Sequence, residues 1–570
     1  MPAPDLSSWR ELEVRIHVQV VASLAALADP DKGIHRDLVR RLEHGVSNQL
    51  ETLGLPGHPV IEVDALDAGE LLPHDRCFRL AVHHQPCRYS DELLQDVDSY
   101  TRGRPLAPEA TPAAVLAWLA PLAEAQDRQA VEFLATAALE AMATMPRLLL
   151  NMRSARAYLD ALQSLEWRNT DGTTADVPLD ADQLLPILHV VLDQRISIAD
   201  RTTVARVLRD SVAANRGAIA AAEDLIAALA PKRVEIQMPS SELREFTIAW
   251  EREGAEKFRF LRDGLFSELG LAYPDFAFLA NDELKPGSVR FTINHLPTVP
   301  QMTLRREQFT VDESGDLPAG MSGTRTVNPA TRRPQWIVDA NNAAIRAAAG
   351  QTTWDQLEYL VLCVADALRV HAGCFVNRRT VEECLNTLST VYPALVDAAK
   401  ARLSIHDMTS LIRRLIEEQI PVKNFRAILE AFVDLAPSND DRLATLRHAL
   451  RRQVSAKHSR GTSVVVVYLL EEKLEEVVRL AMAADGGDSA GRLAETTAAE
   501  MVVAAIRTEL ASLRRVAPTA AVPSLLTSPE IRRALRDLIV PELPSFQVIA
   551  YGEIPPALHV QPIARIASVA

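Results

Sequence analysis

What most limits the fold of this chain is that its sequence returns on itself. Val131-Glu-Phe-Leu134, Asn151-Met-Arg153 and Tyr158-Leu-Asp-Ala-Leu162 come back as Leu357-Glu-Tyr-Leu360, Asn377-Arg-Arg379 and Cys384-Leu-Asn-Thr-Leu388 (377 − 151 and 388 − 162 both give 226). The stretch Ile187-Leu-His-Val-Val-Leu-Asp-Gln-Arg-Ile196-Ser-Ile-Ala-Asp200 lies over Leu411-Ile-Arg-Arg-Leu-Ile-Glu-Glu-Gln-Ile420-Pro-Val-Lys-Asn424 (420 − 196 = 224). Glu51-Thr-Leu-Gly-Leu55 matches Ser267-Glu-Leu-Gly-Leu271 more weakly. Chance produces one such match easily; three in the same order predict a tandem duplication.

The repeated unit reads as helix, turn, helix. Met408, Leu411, Ile412, Leu415 and Ile416 form one buried helical stripe. Pro421 lies just beyond, where a helix stops. Asn424 then stands where a side chain must accept a free amide of the next helix, whose stripe is Phe425, Ile428, Leu429 and Phe432. In the first half Asp200 takes the cap position and Val204, Val207 and Leu208 the stripe.

The segments before each helical unit are mixed. Residues 13–20 alternate as a half-buried strand does, 36–53 read as a helix, and 60–63 and 78–82 as strands. The second half repeats that order, with strands near 234–238, 276–279 and 289–293 and a helix over 258–269. Residues 296–336, rich in Pro, Gly and Thr, predict a small β-rich insertion. Residues 229–233 and 452–462 read as linkers. The tail reads strand, helix, low-complexity loop (483–491), helix, strand, helix, strand. The expected class is α+β in five subdomains: 1–110 mixed α/β, 111–230 helical, 231–350 mixed α/β with the insertion, 351–460 helical, and 461–570 α/β.

Bulk properties exclude several functions. The net charge of −14 disfavours nucleic-acid binding, which needs a basic face. The arginines of the helix after Asp200 (Arg201, Arg206, Arg209) are therefore read as packing and surface groups, not as a DNA-reading element. The five cysteines (Cys77, Cys87, Cys363, Cys374, Cys384) do not make a disulfide framework. The start of the chain has no signal-peptide pattern, and the best apolar run, 464–470, stops at Glu471-Glu472, far short of the ~20 residues a bilayer needs. A cytoplasmic protein that does not insert into a membrane is expected.

Four stretches resemble one family. Pro523-Ser-Leu-Leu-Thr-Ser-Pro-Glu-Ile-Arg532-Arg-Ala-Leu-Arg536 resembles the penultimate strand and helix of the flagellar and type III secretion export-gate family, FHIPEP. Phe546-Gln-Val-Ile-Ala-Tyr551-Gly-Glu553-Ile-Pro555 is similar to its terminal strand and turn, and Ile420-Pro-Val-Lys-Asn-Phe-Arg426-Ala-Ile-Leu429-Glu430 to its helix-turn-helix. Asn377-Arg-Arg-Thr-Val-Glu-Glu-Cys-Leu385, followed by Tyr392-Pro-Ala-Leu-Val396, resembles a further stretch. The resemblance covers residues 232–570 as a full cytosolic module, with 9–230 similar to a degraded copy lacking the last domain. It implies four subdomains, the second inserted into the first, and a homo-oligomeric ring beneath a membrane gate. That ring receives export substrates with their chaperones and communicates with the secretion ATPase. The chain shows no membrane half. Where the family carries T-x-D-P-A-F-G-L-x-A-x-W-I, with an acid and an aromatic in the chaperone-binding hollow, this chain reads Thr326-Val-Asn328-Pro-Ala-Thr331-Arg-Arg-Pro-Gln-Trp336-Ile337. The partner-binding positions implied are Asn328, Thr331 and Trp336. The missing charge and ring remove the kind of anchor that dominates an interface.

No other constellation displaces this reading. Cys77, His83, His84 and Cys87 are the one metal-like cluster, but zinc wants four converging ligands, and adjacent residues on a strand face opposite ways; strand-end packing is expected. Cys363, Cys374 and Cys384 near His371 read as small buried hydrophobes. Glu471, Glu472, Glu475 and Glu476 read as a solvated helix face, and no phosphate loop or nucleophile elbow is present. No catalytic residue, cofactor or metal is expected. The expected function is a non-enzymatic scaffold or docking protein of secretion, binding protein partners (secretion components or further copies of itself, as a homo-oligomer). A cryptic zinc-dependent or other enzyme, and a regulator that titrates secretion components, are the alternatives.

Overall fold

The fold is that of a computed structural model. The structure describes residues 9, 11–66, 76–107, 111–165, 177–231, 233–249, 256, 259, 263–264, 268–271, 273–312, 322–331, 333–341, 352–435, 441–459, 461–484, 489–516 and 522–568. They divide into two compact units, one of residues 1–87, 92–267 and 271–381, the other of 88–91, 268–270 and 382–570.

The first unit begins with β1 (Glu13–Val20), which buries Val14, Ile16, Val18 and Val20, the alternation its sequence carries. Helix α1 (Gly33–Leu53) crosses over to β2 (His58–Ala65), parallel to β1; β3 (Phe78–Val82) and β4 (Gln85–Pro86) then run antiparallel, in the order β2-β1-β3-β4. Helices α2 (Asp91–Arg102), α3 (Pro112–Glu124), α4 (Arg128–Thr144), α5 (Met152–Gln163), α6 (Ala181–Asp193), α7 (Arg201–Ala213) and α8 (Ala218–Leu229) follow. Asn151 accepts Ser154 N at 2.9 Å to start α5, and Asp200 accepts Thr203 N at 3.1 Å to start α7.

A second sheet repeats the first. β5 (Arg233–Met238) is followed by α9 (Ser240–Ala249), then β6 (Asp275–Ala280) parallel to β5, then β7 (Ser288–Ile293) and β8 (Leu296–Pro297) antiparallel, in the order β6-β5-β7-β8. Both sheets turn their hairpin on two residues, His83-His84 and Asn294-His295. β9 (Gln301–Met302) adds to β7. The helix expected over 258–269 lies mostly outside the described residues. The insertion is β-rich as expected but runs further: β10 (Gln308–Asp312), β11 (Gly323–Val327), β12 (Pro334–Asp339) and β13 (Thr353–Trp354) form a sheet ordered β11-β12-β10-β13. Helix α10 (Gln356–Val370) opens on an Asp355–Glu358 capping box, and α11 (Arg378–Ser389) crosses the division between the units.

The second unit continues with α12 (Pro393–Arg402), α13 (Ile405–Glu417), α14 (Phe425–Asp434), α15 (Arg442–Ala449) and α16 (Arg451–Ser459). The stripe of α13 is buried as its spacing requires, and Asn424 accepts Ala427 N at 3.3 Å to start α14. Helix α16 corrects the linker expected at 452–462. Its composition is polar, yet Val454 and Ser455 are buried and Ser455 Oγ donates to Glu553 O at 2.6 Å. The tail forms β14 (Val464–Leu470), α17 (Glu472–Ala483), α18 (Ser489–Val516), β15 (Ser524–Thr527), α19 (Pro529–Ile539), β16 (Val548–Ala550) and β17 (His559–Ile566). Its sheet is wholly parallel, ordered β16-β15-β14-β17, and its helices bury Leu474, Val502, Ile506, Leu535 and Ile539 beside Tyr468 and Leu525. The sequence reading missed β17, because an exposed edge strand broken by Pro562 shows no alternation.

Candidate docking site

The three positions singled out lie on the β11–β12 hairpin. Val327 pairs with Pro334, so the described residues 328–331 and 333 lie in the connection between the strands. Asn328 N donates to Arg333 O at 2.8 Å, while its side-chain Oδ1 accepts Ala330 N at 2.9 Å and Thr331 N at 3.1 Å. Asn and Asp share this local bonding, so Asn in place of an acid keeps the turn and loses the charge. Asn328 is 5% exposed, whereas Thr331 at the tip is exposed. Trp336 faces the small cluster of Phe309, Val311 and Val338, and the Arg325 guanidinium sits 5.6 Å from its ring centre. The hairpin thus gathers all three residues without pointing them at one spot. Arg369 on α10 ties the turn down by donating to Ala330 O at 3.4 Å.

Beside the turn is a small cavity lined by Leu106, Met302, Val327, Pro329, Tyr359 and Cys363. Leu106 comes from the segment after α2, and its carbonyl accepts Val327 N at 3.2 Å and Thr326 Oγ1 at 3.0 Å. Nothing in the sequence pattern links positions this far apart.

The motif residues of the second half have other work. Glu553 accepts Arg447 at 2.6 and 2.7 Å and also Ala550 N at 3.1 Å. Glu418 accepts Arg447, and accepts Arg532 at 2.8 and 3.3 Å. Burial works against the Glu418 charge, yet Arg447 and Arg532 hold its carboxyl below the usual range. Arg447 and Arg532 are 2% and 1% exposed, so this network is interior architecture, not an accessible surface.

Cys77 and Cys87 are buried, and burial pushes both thiols up to about 12; Cys87 Sγ donates to Ala141 O at 3.4 Å. His83 and His84 do not alternate on a strand: with φ of 50° and 64° they form the hairpin turn itself, and His83 lies 3.2 Å from Asn151 Nδ2. Cys363 is buried at the cavity, Cys374 half-buried and Cys384 exposed, and burial pushes His371 down to about 3. Cys384 thus departs from the buried reading. Among the described residues no group of three or more His, Cys, Asp or Glu is placed to hold a metal, and no helix is long and apolar enough to cross a membrane. Glu475 pairs with Arg479 at 2.9 Å along α17.

A family model described as the FHIPEP family matches residues 213–559. The hypersensitivity response secretion protein HrcV of Ralstonia nicotianae is 27% identical over 311 residues, covering 54% of this chain and 44% of that protein. The flagellar biosynthesis protein FlhA of Treponema pallidum is 23% identical over 324 residues, covering 55% and 45%. The chain thus spans a little under half the length of these curated relatives. The solved structure of the Chlamydia pneumoniae CdsV protein aligns with a TM-score of 0.50 at 24% identity, over 59% of this chain and 97% of that one. A complex of CdsV with CdsO aligns at 0.50 and 23%, over 60% and 98%. At these identities the likeness is one of fold.

Proposed function

The chain belongs to the FHIPEP family, and from that premise we propose that it is a non-enzymatic docking scaffold of protein secretion that associates with itself and with protein partners. The family match over 213–559 carries this reading. Its motif residues Arg532 and Glu553 are buried in a structural network, which leaves recognition to surfaces such as the 323–339 hairpin, with Asn328, Thr331 and Trp336. Complex formation between CdsV and CdsO supports a protein partner, here a secretion component.

We read the chain further as one and a half tandem copies of one module, in the five subdomains with boundaries at 110, 230, 350 and 460. Three parallels support this. The sheets share strand order, direction and a two-residue hairpin turn. Gly54 and Gly270, with φ of 72° and 80°, each pack against the residue before a helix cap, Ala199 and Lys423. Ile198 N donates to Leu53 O at 2.9 Å, and Val422 N to Leu269 O at 2.8 Å.

Size-exclusion chromatography with light scattering tests the scaffold. A discrete species larger than the monomer is expected, and a monomer at every concentration overturns self-association.

A further inference from the structure

Helices α1 and α4 come close together at Gly45, where a Cβ would collide with the Leu139 side chain. Along this approach runs a surface groove of about 510 Å³. Arg40, Arg41 and His44 of α1 give it a basic side, and Gly45 with Ala135, Thr136 and Leu139 of α4 give it small and apolar lining. The three basic side chains are exposed. Arg40 stays 77% exposed while donating to Asp37 Oδ1 at 2.7 Å. On α4, Glu132 is engaged by Lys285 Nζ at 2.8 Å. The chain as a whole carries a net charge of −14, so a basic groove runs against its general character. The groove also lies outside residues 213–559, so the family match does not account for it.

Helix α17 carries the complementary pattern. Its inward face buries Leu474 and Val478 in the core of the tail. Glu472, Glu476 and Leu480 recur every four residues and so share one stripe, each about 6 Å along the axis from the next. All three are exposed, Leu480 to 61%. Glu476 has only a long pair with Arg479, at 3.4 Å, and its side chain remains 59% exposed. A large apolar side chain thus stands in water one turn beyond two carboxylates, and covering it would return the free energy of burial.

We propose that the α1–α4 groove of one copy receives helix α17 of a second copy, with Glu472 and Glu476 against Arg40, Arg41 and His44, and Leu480 on the apolar lining. This rests on the self-association read above and assigns it a contact. Charge complementarity selects the occupant: acids one turn apart meet cations one turn apart, and the apolar residue of the stripe meets the apolar part of the groove. Laying one helix face into a groove is a recurring mode of recognition. Groove and helix are different surfaces of the chain, so the contact is head to tail. It repeats from copy to copy until the rotation closes a ring or leaves an open filament.

Light scattering on the full chain and on two charge-reversed variants tests this. One variant is reversed in the groove (Arg40→Glu with Arg41→Glu), the other in the helix (Glu472→Lys with Glu476→Lys). Each alone should assemble at least about tenfold more weakly than the wild type. An equimolar mixture of the two should regain assembly, because each reversed surface then finds its complement on the other chain. Misfolding cannot produce that rescue. Leu480→Asp leaves the cations and carboxylates of the contact in place and should weaken assembly as well, which covers a reversed variant that fails to fold. A wild-type oligomer that survives either reversal or Leu480→Asp, or a mixture of folded variants that stays dissociated, overturns the contact and leaves self-association standing. A wild type that is monomeric at every concentration removes self-association itself, and the contact with it.

Discussion

Two turns, one in each half, have the same shape and opposite electrostatics. Arg195 and Gln419 both take φ of 59°, each five residues before a helix cap, Asp200 and Asn424. In the first turn the Arg195 guanidinium is buried and donates to main-chain carbonyls, Ala143 O at 2.9 Å, Leu296 O at 3.2 Å and Pro297 O at 2.7 Å. Burial lowers its pKa from the ordinary arginine value. In the second turn Glu418, next to Gln419, is the anion that holds Arg447 and Arg532. Backbone shape here depends on small steric facts that many sequences satisfy, whereas the charge pattern depends on what each turn packs against. The two turns share the first and differ in the second.

The largest effect should come from breaking the second turn's ion pairs. Glu418→Gln leaves Arg447 and Arg532 buried with too little counter-charge, at a cost of ~3–5 kcal/mol. Arg195→Met removes a cation that burial already disfavours and leaves carbonyls unpaired, costing only about 1–3 kcal/mol. Denaturant unfolding of the two variants checks this; equal losses would erase the contrast.

Next in size are the two glycines, which test the shared shape. A Cβ on Gly54 would lie 2.3 Å from Ala199 Cα, and one on Gly270 2.3 Å from Lys423 N. Both obstacles are backbone and both φ values are left-handed, so Gly54→Ala and Gly270→Ala should each cost ~2–4 kcal/mol. A tolerated alanine at either site, seen as an unshifted unfolding midpoint, would show that the two turns are supported differently.

These positions also mark how far the sequence could be read. The stripe of α13, the caps Asp200 and Asn424, and the alternation of β1 were legible because each is a local pattern with one physical cause. The Gly54 and Gly270 matches were visible as letters, but their cause, contact with a turn more than a hundred residues away, was not. Arg195 gave no sign of a left-handed backbone, since arginine rarely adopts it. At the β11–β12 hairpin the sequence pointed to Asn328, Thr331 and Trp336; it could not reveal that Asn328 bonds its own turn, or that Leu106 lies against Val327. Helix α16 and strand β17 were missed for lack of an amphipathic pattern.

The smallest effect is a difference in pH response. Burial pushes Glu140 on α4 up to about 7, against the pull of Arg290 and Arg195. Its folded pKa lies above the unfolded one, so the folded state keeps a proton that the unfolded chain releases. That contribution is complete below about pH 4.5 and is lost as pH rises through about 7. Glu418 has the opposite sign: its folded pKa is depressed, so its contribution is present above the ordinary carboxylate range and lost as pH falls through the folded value. Unfolding midpoints measured from about pH 3 to 8 should therefore lose their decline toward neutral pH in Glu140→Gln, and lose their acid-side drop in Glu418→Gln. If both variants flattened the same side of the profile, the two halves would share one electrostatic design, and the contrast between the turns would reduce to a difference in hydrogen bonding.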